Sequence, residues 1–370
     1  MGEEEEAAAI KTAFYDIQAA MGATFAPDGG WLWTDSFGDI GAEYKAVRED
    51  VGMWDVSPLN KWDWRGPDAV KAAQRVNGND IAGLQVGQVR YGPFLDGDGL
   101  VVDDGTVYKL ADDHVWVMTN TMELKEYFAE ATKGFDVEIE YVAFQMPHIA
   151  VQGPRSRDFL TPLTNADLTT LRYYRFYPDK VEVGGVPVWL SRTGFSGELG
   201  YELFVAPENA EDLWKAVHGA GATPFANAAI EICRIESGMV VTGYDYEAHT
   251  VTPYDIGLDR VTKLDGPGEF LGKQKLREVA KNPPNRFKTL VLEGDEVPEY
   301  GAAVTKDGEP VGTLTSPTSS PRFGVIGVAT LRTDVAVEGN MLDVAVGDGT
   351  VPASVTRNSI YDPEKKLPRS

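Results

Sequence analysis

The segment "LSRTGFSGELGYELFV", Leu190 to Val205, sets two carboxylates, Glu198 and Glu202, four residues apart among Gly194, Gly197 and Gly200. On a strand, residues two apart share a face, so Glu198, Gly200 and Glu202 face one way and Leu199, Tyr201 and Leu203 the other. Glu202 runs into Leu203, Phe204 and Val205 and is expected to be buried. A buried carboxylate costs several kcal/mol unless it is paired or hydrogen-bonded. The glycines before it would let a flat ligand approach the backbone. For Glu198 a solvated face is an equally good reading. A second pair, Asp103 and Asp104 in "GLVVDDGTVY", is consecutive, so one carboxylate faces in and one out.

Other residues offer less. His114, His148, His218 and His249 show no metal-ligand spacing. His249 stands out only because it lies in the loop "GYDYEAHTVTP". "LDGDGLVVDDG" fails as a calcium loop, because Leu100 and Val101 stand where a ligand and the obligatory Gly belong. No dinucleotide or P-loop glycine motif occurs. "GFSGE" is not a nucleophile elbow, since Glu198 replaces the second Gly. Cys233 is the only cysteine and sits in an apolar run, which predicts an inert buried thiol.

The elements that must position the carboxylates repeat. "MWDVSPLNKWDWRGPDAVKAAQRV" predicts strand, turn at Gly66-Pro67 and helix, and "FQMPHIAVQGPRSRDFLTPL" predicts strand, Gly153-Pro154 and helix. Gly66 precedes Asp80 and Gly153 precedes Asp167 by the same fourteen residues. Each copy continues into an aromatic-rich strand, "QVRYGPFL" or "RYYRFY", then a hairpin, and a helix pair, "MELKEYFAEATKG" and "ENAEDLWKAVHGAG", closes the units. Two such βαβ-β units facing each other would set the carboxylates across a shared cavity. Helices are also expected over 3–20 and from Glu43 to Asp50. After "VAKNPPNRF", short alternating strands and turns predict an all-β barrel, with "SPTSSP" as a loop inside it.

The 370 residues carry a net charge of −23 with no basic stripe, which argues against nucleic acid and anionic membrane as partners. A soluble acidic enzyme, or one from a saline habitat, is the simpler reading. No apolar run approaches the length of a membrane span, and the acidic start lacks the basic flank of a signal peptide, so a cytoplasmic location is expected.

Taken in order, "VGMWDVSPL", "YGPFLDGDGLVVDDGTVYKL", "VQGPRSRDFL", "SRTGFSGELGYELFV", "CRIESGMVVTGYDYEAHTVTPYDIGLDRVTKLD" and "FLGKQKL" resemble the folate-dependent aminomethyltransferase family, whose type member is the glycine-cleavage T-protein. The resemblance implies an α+β fold: duplicated units in a three-lobed ring with a C-terminal barrel and tetrahydrofolate in the central hole. It implies a folate-binding region over 1–283, with lobes near 45–140 and 141–265, and a barrel over 284–370. It places Glu202 on the pterin ring, Asp104 beside the reacting folate nitrogens, Tyr91 packed by the folate, and Glu198 and Arg234 among the cofactor-binding residues. A carboxylate at Asp104 would stabilise the positive charge that develops on N5.

The chain departs from the type member at Pro58, Ile230, Glu231 and Asp362, where the family has a His, an Arg-Asp pair and an Arg. These departures argue against a lipoyl-carrier partner and for the free-standing demethylase branch. That branch moves a methyl group from a small O-, S- or N-methylated substrate to N5 of tetrahydrofolate. A glycine-cleavage aminomethyltransferase and a folate-binding regulator or scaffold are the alternatives. Trp31, Trp33, Phe195, Tyr246 and Ile230 are the expected substrate pocket, suited to stacking or to cation–π contact. Tyr244, Tyr246 and His249 are the nearest candidates to protonate a leaving group. The expected state is a monomer or small homo-oligomer without a metal.

Overall fold

The structure, a computed structural model, describes residues 9–370. The first turns of the expected helix over 3–20 lie outside the described residues. Its visible part is short, α1 (Tyr15–Ala20), because Ile10 instead bridges Trp31 of a hairpin made by β1 (Thr24–Asp28) and β2 (Trp31–Ser36). Helix α2 (Ile40–Glu49) starts earlier than Glu43, since the Asp39 carboxylate accepts from the Ala42 N–H and caps it.

The first long strand expected from "MWDVSPLNKWDWRG" is two strands, β3 (Gly52–Asp55) and β4 (Asn60–Arg65). They belong to different sheets. The first sheet contains, in order, β5 (Val89–Leu95), β6 (Val101–Ala111), β7 (His114–Thr119), β4 and β8 (Glu138–Tyr141), with α3 (Ala69–Val76) and α4 (Lys125–Ala131) in the connections. The second contains β10 (Val181–Val183), β11 (Val186–Ser191), β12 (Gly200–Val205), β9 (His148–Gln152), β3 and β13 (Thr223–Pro224), with α5 (Ser156–Leu160) and α6 (Ala210–Gly219) connecting.

The duplication is visible in detail. Strand β8 precedes β9 in sequence but pairs with β4, while β3 precedes β4 but pairs with β9. The two sheets therefore exchange their leading strands reciprocally. The Gly-Pro turns enforce this. Gly66 has φ +135° and Gly153 φ +131°. A Cβ on Gly66 would lie 2.4 Å from the Asp136 carbonyl oxygen, and one on Gly153 would lie 2.4 Å from that of Asp50. Two residues on, Asp68 N–H and Arg155 N–H donate to those same carbonyls. Asp136 and Asp50 each stand two residues before the exchanged strand.

One expected strand is missing. "RYYRFY" forms only isolated bridges, Gln88 with Arg175 and Phe176 with Ser191. It threads between the sheets and stitches β5 to β11, with Tyr174 at φ +59°.

Helix α7 (Asn227–Glu236) packs against β2, α2 and the barrel. After α8 (Lys273–Val279), the barrel closes in the order β14 (Asn285–Leu292), β17 (Gly324–Arg332), β16 (Glu309–Ser320), β15 (Ala302–Lys306), β18 (Met341–Val346), β19 (Gly349–Val355). The expected loop "SPTSSP" is largely strand, the end of β16. Strand β15 pairs with β16 only as far as Leu314, so beyond it one edge is free and Pro317 costs no ladder bond. The fold is thus a mixed α and β one, two facing sheets and a closed six-stranded barrel. No helix among the described residues is long and apolar enough to cross a membrane.

Candidate active site

Strand alternation on β12 holds. Tyr201, Leu203 and Val205 enter the main apolar core, while Glu202 and Phe204 face the first sheet. Glu202 is buried, and its partners come from the loop after β11 and from the first sheet. Oε2 accepts from the Thr193 hydroxyl and, at 3.2 Å, from the Tyr108 hydroxyl. Tyr108 lies on β6, four residues from Asp104 and so on the same face. Among the described residues no donor reaches Oε1 of Glu202. Burial raises the carboxyl above its ordinary value, against the pull of Thr193 and Tyr108. Lys61 on β4 adds a weaker downward pull. Lys61 is itself fully buried; its Nζ donates to the Ser57 carbonyl at 2.8 Å. Burial pushes its pKa down to about 7, partly offset by Asp55 and Glu202.

Asp103 and Asp104 separate in role. Asp103 accepts from the N–H groups of Asp104, Asn120 and Thr121, from the Asn120 amide and from the Thr242 hydroxyl. It is a structural knot at the end of β7. Asp104 accepts from Tyr91 at 2.8 Å and from Tyr246 at 2.5 Å, and lies 3.3 Å from the Thr242 hydroxyl. Burial and the charge of Asp103 push Asp104 up to about 7, opposed by the hydroxyls of Tyr246, Tyr91 and Thr242. A carboxyl so placed can hold or release a proton near neutrality. The loop after α7 makes this possible: Thr242 and Tyr246 bridge each other and both turn toward Asp104.

Tyr91 and Asp104 therefore stand together, and Tyr246, expected in the substrate pocket and as a candidate proton donor, joins them. Other expectations need correction. Tyr244 turns outward; it is 47% exposed, 3.4 Å from Asp28 and edge-on to Tyr300. His249 has φ +63°, and its half-exposed ring pairs with Asp96 at 2.7 Å. Neither contacts Asp104. Arg234 has no donor left for a ligand. Its five N–H groups go to Glu231, twice, and to Asp245, Ser316 and the Met239 carbonyl. That binds α7 to the barrel. Glu198 is clasped by Arg48 at 3.0 Å and by the Tyr361 hydroxyl. Arg48 also pairs with Glu236 of α7, so this buried network fastens α2 to α7.

The glycines serve a purpose other than ligand approach. A Cβ on Gly194 or Gly200 would meet the Gln152 amide at 2.2 Å, and one on Gly197 would meet the Ser237 hydroxyl at 2.1 Å. They make room for neighbouring side chains.

Of the expected pocket residues, Trp33, Phe195 and Ile230 come together. They share an apolar cluster with Tyr44, Trp54, Phe225 and Cys233, with Trp33, Phe195, Leu59 and Ile232 only half-buried at its edge. Trp31 instead packs on Phe144, at 5.3 Å between ring centres. Cys233 is buried, and burial pushes its thiol up to about 12, as an inert thiol requires.

Sequence reasoning missed Tyr108, Thr193, Thr242, Lys61 and Arg48. Tyr108 was reachable, since it repeats Asp104 at strand period, and Thr242 and Tyr246 sit four apart in one loop. Arg48 and Lys61 carry no local signal, because their partners lie far away in the chain.

The GCVT N-terminal domain family matches residues 14–266, and the glycine cleavage T-protein C-terminal barrel domain family matches 285–362. The chain is 36% identical over 324 residues to an aminomethyltransferase of Streptomyces avermitilis, covering 85% of this chain and 86% of the relative. It is 34% identical over 362 residues to an aminomethyltransferase of Saccharopolyspora erythraea, covering 95% and 98%. The fold matches the crystal structure of the glycine cleavage system aminomethyltransferase T from Bartonella henselae with a TM-score of 0.86 at 20% identity, over 96% of this chain and 98% of that one. With two facing sheets, a closed barrel and matches spanning nearly the whole length, the chain belongs to the aminomethyltransferase (glycine cleavage T-protein) family.

Proposed function

We propose that the chain is a tetrahydrofolate-dependent one-carbon transferase that holds the pterin at Glu202 and performs the transfer beside Asp104. The observation that carries this reading is the half-satisfied Glu202: Oε2 is fixed by Thr193 and Tyr108, while Oε1 has no donor among the described residues. A carboxylate oriented in this way can accept charge-assisted bonds from the pterin amino group and ring N–H, each worth ~1.5–3 kcal/mol. Asp104 and Tyr108 lie on one face of β6, about 13 Å apart along the strand. A fused ring held at the Glu202 end therefore extends toward Asp104. There the caged carboxyl stabilises positive charge that develops on N5 and offers a proton to a departing group.

For the carbon unit, the relatives' name supports an aminomethyl group. Its carbon forms bonds to N5 and N10 of the folate, which give up their two protons. The carbon–sulfur bond to the carrier breaks and releases the thiol, and the carbon–nitrogen bond breaks and releases the amine as ammonia after it takes a proton, a step that suits a carboxyl titrating near neutrality. A second reading, methyl transfer from a small O-, S- or N-methylated donor to N5, is favoured by specific residues. Ile230 is buried in the apolar cluster where the family arginine stands. Asp362 is acidic where a second arginine stands, and its carboxylate accepts from the Leu367 N–H. Mass spectrometry of the folate pool after incubation with each donor type decides. The methylene form with stoichiometric ammonia from an aminomethyl-lipoyl carrier supports the first reading. 5-Methyltetrahydrofolate from a small donor supports the second. Folate binding without turnover on any donor refutes both in favour of a regulator.

A further inference from the structure

We propose that the indole N–H of Trp54 is a ligand-binding donor that engages an oxygen atom on a flat, largely apolar group bound beside Glu202. This rests on the function proposed above and adds a residue to its site. The strand registers place Trp54 opposite Ala150, and Ala150 opposite Glu202. The three side chains therefore form one row on one face of the second sheet, with Trp54 and Glu202 about 10 Å apart, two strand spacings. The residue between them, Ala150, has a short side chain and is itself buried in the apolar cluster that holds Trp54.

Trp54 is 5% exposed, and its Nε1 has no hydrogen-bond partner. Its ring packs on Trp33, at 6.0 Å, and on Phe225, at 5.9 Å, and its N–H is buried without an acceptor, so a ligand oxygen must enter the half-buried edge of this cluster to reach it. Among the described residues two other buried indole nitrogens also lack partners. Trp64 lies in the closed core of the first sheet, and Trp31 packs on Phe144 away from this row. Only Trp54 shares its cluster with half-buried Trp33, Leu59 and Phe195 and its sheet row with Glu202. A buried donor without an acceptor is costly in the free protein, and a ligand oxygen relieves that cost. The surrounding side chains are largely apolar and suit an apolar ring or chain, with the Trp54 N–H as a polar contact among them. The acceptor oxygen can belong to the folate or to the one-carbon donor.

The test uses the whole protein with 15N-labelled tryptophan, whose indole signals report each N–H; Trp54→Phe assigns the Trp54 signal. One arm adds tetrahydrofolate. Two further arms add 4-methoxybenzoate or dihydrolipoamide to the folate-saturated protein. A Trp54 signal that shifts and gains exchange protection in the first arm assigns the acceptor to folate; a response only in a later arm assigns it to the donor side. Trp54→Phe should then weaken the responding ligand about tenfold without lowering the melting temperature of the free protein by the same proportion. Tetrahydrofolate that fails to bind the wild-type protein refutes the function proposed above. Tetrahydrofolate that binds while the Trp54 signal stays unmoved in every arm overturns the present inference.

Discussion

Asp104→Asn should make the protein more stable and less active, and the stability change should depend on pH. Asp104 has a folded value of about 7 against an ordinary 3.8. A raised carboxyl means that the folded state keeps a proton that the unfolded chain releases between about 4 and 7. Stability from this group is full below that window and is lost as pH rises through the folded value. At ~1.36 kcal/mol per pH unit the ionised carboxyl costs the fold at most ~4 kcal/mol at pH 8, and less than half of that at pH 5. Asparagine removes the cost and weakens a hydrogen bond from Tyr91 or Tyr246, worth ~1 kcal/mol. The expected result is a variant ~1–3 kcal/mol more stable at pH 8, with the advantage shrinking by ~2–3 kcal/mol at pH 5. Urea unfolding at the two pH values, at fixed salt, measures it. Turnover should fall by at least ~10²-fold, as for loss of one electrostatic stabiliser. A variant destabilised equally at both pH values would refute the reasoning, because Asp104 would then be a structural partner like Asp103.

Lys61→Met should also stabilise the fold. The folded lysine titrates at about 7, below its ordinary value of 10.5, so wild-type stability should rise as pH climbs through that window, and methionine should flatten the rise and add ~2–4 kcal/mol at pH 7; a pH-independent difference in urea unfolding contradicts this. Gly200→Ala should cost several kcal/mol, since its Cβ meets the Gln152 amide at 2.2 Å, and a Gln152→Ala background should recover part of the loss, read as a non-additive double-mutant cycle in thermal unfolding. His249→Ala should leave kcat/KM within about twofold, because its ring makes an exposed pair with Asp96 worth ~1 kcal/mol or less; a hundredfold loss in a steady-state assay would return it to the catalytic residues.

The repeat was legible because it is local chemistry. Gly-Pro turns fourteen residues before an Asp reflect a backbone that only glycine adopts, and the structure finds Gly66 and Gly153 at nearly one φ against equivalent carbonyls. The reciprocal exchange of β3 and β8 was not legible, since nothing within four residues of a strand says which sheet accepts it. Burial of Glu202 followed from strand period. The saturation of Arg234 did not, because its partners Asp245 and Ser316 are 11 and 82 residues away. A motif arginine reads the same whether it faces a ligand or a barrel. Tyr244 and Tyr246 show the same limit. Two tyrosines two apart in a loop look alike in sequence, yet Tyr246 reaches Asp104 and Tyr244 reaches Asp28.

Folate held at Glu202 is tested most directly by calorimetric titration of tetrahydrofolate into the wild type and Glu202→Gln. The amide keeps the shape, loses a charge-assisted acceptor and turns a donor toward the pterin N–H groups. The predicted loss is ~2–4 kcal/mol, roughly 30- to 1,000-fold in Kd, with the melting temperature of the free protein unchanged or raised, because Glu202 is a carboxylate whose burial opposes its charge. Unchanged tetrahydrofolate affinity in Glu202→Gln would contradict the assignment of the pterin site.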